Sequence, residues 1–263
     1  MFRCAIRVSA LAIAITIVYA TSSLAADTIE TFDEGAFDTE FYIGAGGFAL
    51  DRDEQTLGAN TVLGYGLLDR FSGYLAFGVE TNTYLAEGHS GAAFGLFGTL
   101  LETDHFDADL YGDVAADGEA MSEIVATPGL ELNFDLRPDQ ALWGLYARVE
   151  ASFTGEEKET DDPDAETEYE TNRTMNHTFG TYVTIAERHQ ILLEYYRTAI
   201  KNPALGEPRV EAHQFALGYN VVVNDRIELV SEFSAHLPHG DEDFFWGAAI
   251  GFVGTIPGAA QEP

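Results

Sequence analysis

Cysteine is nearly missing from this chain, with Cys4 its sole thiol. Lysine occurs only at Lys158 and Lys201, and there are 8 prolines in 263 residues. No segment beyond the N-terminal one reads as a membrane-spanning helix. The longest stretch without an acid or base, Phe244 to Gln261, holds Gly247, Gly251, Gly254, Pro257 and Gly258, which a lone helix in lipid tolerates badly.

Each scarcity excludes something. Arg3 and Arg7, the apolar run Ala10 to Ala20 and the small-x-small site Ser23-Leu24-Ala25 have the layout of a secretory signal peptide, cleaved after Ala25 or Ala26. The apolar run is about half of the roughly 20 residues a spanning helix needs. Cleavage would remove Cys4, and with it disulfides, thiol catalysis, thiolate metal sites and covalent haem. It would also remove two of the 13 basic residues, leaving 11 against 44 acids, a formal charge of −33. Such a chain repels nucleic acid and anionic lipid, so its partners are cations, neutral solutes or basic proteins. A hydrophobic fraction of 46% excludes a disordered chain.

What is abundant is glycine, at 26, and aromatic residues, with 18 Phe and 12 Tyr, a mixture that leans to β structure. Between Ala141 and Gly155 one parity reads Trp143, Leu145, Ala147, Val149, Ala151, Phe153, and the other Leu142, Gly144, Tyr146, Arg148, Glu150, Ser152. A strand with one face in hydrocarbon and one in water has this pattern. It repeats over 122–135, 226–237 and 106–114. At 58–68, 91–101 and 244–256 the alternation is one of size more than polarity.

About twelve such segments can be marked: 40–50, 58–68, 71–83, 91–101, 106–115, 122–135, 141–154, 171–185, 189–200, 210–223, 226–237 and 243–256. Each is about the 9 to 11 residues, or slightly more, of a tilted membrane strand. Tight turns at 68–70, 102–105, 137–140, 187–188 and 224–226 alternate with longer connections at 51–57, 84–90, 116–121, 155–170, 201–209 and 238–242. This predicts an all-β fold, a transmembrane antiparallel up-and-down β-barrel of about 12 strands in the outer membrane of a Gram-negative bacterium, with periplasmic turns and extracellular loops. The expected organisation is a signal peptide at 1–25, a periplasmic N-terminal segment at 26–39, the barrel at 40–256 and a tail at 257–263. A soluble sandwich or lipocalin-like barrel is the competing fold. It would carry more lysine on its polar faces.

The polar parity is then the lumen. Pore-lining candidates are Tyr74 and Glu80, then Asp109, Tyr111 and Asp113, Glu131, the group Tyr146, Arg148 and Glu150, and Tyr182, Glu194, Tyr196, Glu228 and Glu232. Charged residues on these faces are acids except for Arg148, and rings of carboxylates concentrate cations. The five tyrosines are candidate walls for an aromatic or sugar-like solute. The alternative is a closed interior in which Arg148 and its acidic neighbours satisfy one another.

Functionally this favours a small-solute channel or transporter with a cation-preferring lumen. A closed structural or adhesive barrel would work instead through the loop GEEKETDDPDAETEYE at 155–170, with 9 acids in 16 residues. That loop has no EF-hand spacing and reads as a solvated loop that attracts divalent cations at most. A lipid-modifying enzyme would need a nucleophile and base on the outer face. Ser234 and His236 are the nearest such pair and fall on the inner parity, so no enzyme is expected. No motif indicates a cofactor. His236 and His239 with Asp241 and Asp243 are the nearest approach to a metal site. Expected partners are outer-membrane lipid and lipopolysaccharide, small solutes or cations, and the barrel assembly machinery.

The segment Leu63 to Gly78, LGYGLLDRFSGYLAFG, with the acid–Arg turns at Glu187-Arg188 and Asp225-Arg226, resembles the outer-membrane family named for the MetA-pathway of phenol degradation, whose members are called transporters. Tyr65, Gly66, Leu67, Asp69 and Arg70 match a Tyr-Gly-Leu-x-Asp-Arg turn, and the ending IGFVGTIPG is compatible. The resemblance implies an outer-membrane barrel passing small organic compounds and assigns no catalytic residue. One departure is the chain end. Such barrels usually finish on an aromatic residue, whereas this chain runs from Phe252 through Gly254 and Pro257 to Pro263, so Phe252 serves from an internal position or the last strand lies elsewhere.

Overall fold

The computed structural model describes residues 32, 34–48, 55–82, 88–117, 123–136, 143–157, 169–186, 188–201, 210–237 and 244–257. Twelve strands follow one another: β1 (Phe37–Phe48), β2 (Gln55–Leu68), β3 (Phe71–Asn82), β4 (Gly88–Glu102), β5 (Phe106–Asp117), β6 (Glu123–Asp135), β7 (Trp143–Glu157), β8 (Tyr169–Ile185), β9 (His189–Lys201), β10 (Val210–Asn224), β11 (Ile227–Leu237) and β12 (Phe245–Ile256). Each pairs antiparallel with its neighbours in sequence, and β12 pairs with β1 from Phe37↔Ile256 to Phe48↔Phe245, so the sheet closes. Closure leaves no edge strand exposed.

β1 begins at Phe37, ahead of the expected 40, because Phe37 and Asp38 find register partners in Ile256 and Thr255. Phe252 lies inside β12 opposite Phe41, which places the last strand at 245–256 and the aromatic in an internal position. The leader and the acid-rich stretch 158–168 lie outside the described residues, as do His239, Asp241 and Asp243.

The tight turns have local causes. Arg70 and Ala186 carry positive φ (64° and 55°) at two of them. A bulge between Gly66 and Leu68 feeds the first, adding twist where the chain reverses. In the 103–106 turn Thr103 Oγ1 accepts the amide of Phe106 (3.0 Å), and in the last one Asn224 Oδ1 accepts the amide of Arg226 (2.9 Å). Each side chain substitutes for a ladder partner the backbone has just lost.

Burial is inverted relative to a water-soluble fold. Glu131 is 0% exposed and Glu194, Asn133, Gln214 and Asn220 are buried, while Val79 is 62% and Ile250 63% exposed, with most of the Leu, Ile and Phe side chains outside. The outward residues of every strand make one continuous apolar band, far larger than the patches soluble monomers expose. Hydrocarbon lipid is the solvent that makes such a surface favourable, and the closed ladder satisfies the backbone within it. Outward Tyr–His pairs stand towards the two rims. Tyr219 and His189 stack near the turn end (Oη to Nδ1 2.9 Å), and Tyr195 and His213 nearer the loop end (2.7 Å). Amphipathic rings suit the headgroup depth.

Candidate functional site

Every pore-lining candidate stands on the inward parity, but the interior is not evenly filled. The sector from β3 to β9 carries the large side chains. Tyr74 pairs in register with Gly95, Tyr111 with Gly129, Tyr146 with Gly180 and Tyr182 with Gly144. A Cβ at any of the four glycines would collide with the facing tyrosine ring, so each ring lies flat on the wall where only hydrogen fits.

Lying flat, each ring crosses its neighbouring strand and delivers its hydroxyl to a carboxylate on the strand beyond. Tyr74 Oη donates to Asp113 Oδ2 (3.1 Å) and Tyr111 Oη to Glu150 Oε1 (2.7 Å). Tyr146 donates to Glu194, Tyr182 to Asp135, and Tyr196 also to Glu194. Four tyrosine–glycine–carboxylate struts therefore tie strands that do not touch one another directly. They are braces, and Tyr111 and Tyr146 are buried rather than presented to an open lumen. Sequence reasoning assigned these rings to a solute wall because parity reports which face a side chain is on, not whether it stands up or lies down. Gly180→Val should force Tyr146 off its seat and lower the unfolding free energy by about 1–3 kcal/mol, the usual cost of overpacking. A urea titration in detergent measures it.

Arg148 is the single arginine or lysine at an inward strand position among the described residues, and it is engaged. Its Nε donates to Glu131 Oε2 (2.6 Å) and its terminal nitrogen lies 2.5 Å from the same oxygen, both side chains being almost wholly buried. Around the pair, Thr99 Oγ1 and Asn133 Nδ2 donate to Asp109 (2.7 and 3.5 Å). Arg148 and Glu131 thus satisfy one another, as the closed-interior alternative expects, although Asn133 Oδ1 and both amide atoms of Asn176 in the same sector have no hydrogen-bond partner among the described residues.

The sector from β10 through β12 and β1 to β2 is its opposite. Gly218, Glu232, Ala249, Gly44, Gly58 and Glu80 stand side by side along one rung, and Ala216, Ser234, Gly247, Gly46 and Thr56 along the next. These small residues leave a cavity of about 60 Å³ towards the long-loop end, lined also by Tyr42, Asn60, His236 and Phe245. Its floor is apolar: Tyr42 and Val230 are buried together, with Ala249 and Val253 against them. Beyond that floor, at the turn end, a second recess of about 160 Å³ is lined by Val222, Glu228, Val253 and Thr255 and by the turn residues Asn224, Asp225, Arg226 and Ile227.

Several interior residues escaped sequence reasoning. Asp38, Tyr42 and Asn60 are buried on the inner face, and Tyr42 Oη donates to Glu40 Oε2 (2.7 Å). Asp38 lies ahead of the expected strand start at 40, whereas Glu40 and Tyr42 fall within the expected 40–50 segment, whose Gly44 and Gly46 gave the rest of its inner face no polar signal. On β2 and β12 glycine replaced polarity, so the alternation of size was the signal. Phe32 is a further case. It seats its ring on Gly64 and edge-on to Phe97 (5.4 Å), and its amide donates to Ser72 Oγ (2.9 Å), closing part of the turn-end mouth.

Ser234 and His236 face the interior, away from lipid, and the His236 ring meets Phe245 edge-on at 5.2 Å. A lipid substrate has no access to that pair from the membrane.

No protein-family model and no curated protein sequence matches the chain. Solved structures do match. The NanC porin aligns with TM-score 0.57 at 10% identity, over 81% of this chain and 98% of that one. The KdgM porin aligns with 0.53 at 9% (83% and 98%), and the CymD monoaromatic hydrocarbon channel with 0.50 at 8% (86% and 90%). At this identity the likeness establishes a shared fold, the closed transmembrane barrel.

Proposed function

We propose that the chain is an outer-membrane channel or transporter for small solutes, with an acidic, cation-preferring lumen that runs off-centre along β10 to β3. The observation that carries this is the pair of recesses on the same strands, one towards each end, with the buried Tyr42–Val230 cluster touching the lining of both through Ala249 and Val253. Glu80 and Glu232 border the upper recess and Glu228 and Asp225 the lower, where Arg226 stands at the turn, while Arg148, the single arginine or lysine at an inward strand position among the described residues, is neutralised by Glu131. Carboxylates lining a confined aqueous path hold a negative potential that favours cations. The pore-lining role belongs on this reading to Glu80, Glu228 and Glu232, with Asp113 and Glu150 on its flank. Asp109, Glu131, Tyr146, Arg148, Glu194 and Tyr196 hold the wall.

The porins and the hydrocarbon channel among the structural matches are compatible with this role. So is kinship with the MetA-pathway transporter family, carried by the turn Tyr65 to Arg70, which remains part of the proposal. The test is conductance of the refolded protein in a planar bilayer under a KCl gradient. Steady openings with a cation-selective reversal potential are expected, and Glu80→Gln with Glu228→Gln should move that potential towards zero. A folded but silent barrel would replace the channel with a closed structural barrel.

A further inference from the structure

Glu232 is 6% exposed, lines the loop-end cavity, and its Oε2 has no hydrogen-bond partner. A carboxylate oxygen withdrawn from water without compensation is costly, and the group needs a proton or a counter-cation. Its neighbours along the rung, Gly218 and Ala249, carry no polar side chain. Glu194, the nearest other acid in this part of the interior, is already met by the hydroxyls of Tyr146 and Tyr196. The base Arg148 is held by Glu131. None of the residues lining the cavity is an arginine or lysine; His236, two inward positions further along β11, lines it too with its ring edge-on to Phe245, and Glu232 Oε2 has no hydrogen-bonded cation among the described residues.

We propose that this cavity binds a small organic cation, a protonated amine on a short apolar body, with the Glu232 carboxylate as its counter-charge. The proposal deepens the channel reading and rests on it for the purpose of the site. The lining selects this chemistry. Gly44, Gly58, Gly247 and Ala249 offer an apolar wall, and Phe245 adds an aromatic face. Ser234 and Thr56 supply hydroxyls at the next rung, Asn60 an amide, and the Glu80 carboxylate stands across the small wall. A hard divalent cation wants six or more oxygens around it, and among the described residues no three His, Cys, Asp or Glu side chains stand together here to hold one. The volume suits the size too. At about 10–15 Å³ for each water-sized occupant, 60 Å³ takes a handful of heavy atoms.

The probe is n-butylammonium, compared with n-butanol, which has the same body and no charge. Binding to the refolded full chain in detergent is read by saturation-transfer NMR, with heat-modifiable gel mobility as the check on folding. Butylammonium should bind and butanol should not. Glu232→Gln should weaken binding at least tenfold, and so should Ala249→Leu, which keeps the carboxylate and fills the space. If Glu232→Gln does not fold, Ala249→Leu alone decides. In bilayers, butylammonium on the loop side should block potassium current in the parent protein and not in these variants. Equal binding of butanol, or undiminished binding to the folded variants, overturns the site. A silent barrel that binds butylammonium through Glu232 overturns the channel and keeps the site. A conducting barrel without that binding does the reverse.

Discussion

Arg148→Met should lower the unfolding free energy by about 3–5 kcal/mol, the range for removing one partner of a buried ion pair. The loss comes less from the missing bond than from what remains. Glu131, with no exposed surface, is left in a site whose cation has gone, and Glu150 and Glu194 lose the field of the same guanidinium. Glu131→Leu combined with Arg148→Met should recover most of that loss, since two apolar groups of similar volume leave no charge stranded. Urea unfolding in detergent, read as a double-mutant cycle, separates the two outcomes. A coupling below about 1 kcal/mol would mean that water reaches the pair and solvates either charge alone.

Tyr42→Ala should raise single-channel conductance by about tenfold, because that ring is the bulk of the floor between the two recesses. Tyr42 seats on Gly251, faces Val230 and is itself buried. An apolar constriction of this kind blocks ions by excluding water, and removing an aromatic ring lets a hydrated path form. The complementary variant, Tyr146→Phe, should leave conductance unchanged. It keeps the ring on Gly180 and loses only the hydroxyl on Glu194, on the filled side of the barrel. If Tyr42→Ala leaves conductance where it was and Tyr146→Phe raises it, the path runs through the tyrosine sector and the off-centre lumen is wrong.

The barrel itself was readable in particular places. Trp143 to Phe153 against Gly144 to Ser152 states both faces of β7, because the side-chain period of a strand is two and lipid and water differ sharply. The alternation of short turns and long loops then orders the strands up and down. β2 and β12 were harder, since Gly58, Gly64, Gly247 and Gly251 carry no polarity and the inner face shows only as smallness.

The sequence by itself therefore determined the closed β architecture, the inward and outward sets and the acidic character of the interior, because these depend on parity and composition, which are local. Register was not local. That Tyr111 faces Gly129 and Tyr146 faces Gly180 follows from how each hairpin is staggered, and only the assembled sheet states it. The same holds across the closure of β12 on β1, which sets Ala249 beside Gly44 and so places a wall of small residues between Glu232 and Glu80. The tertiary structure alone decided that one side of the interior is braced and full and the other open, since side chains distant in sequence share volume only once the strands are paired.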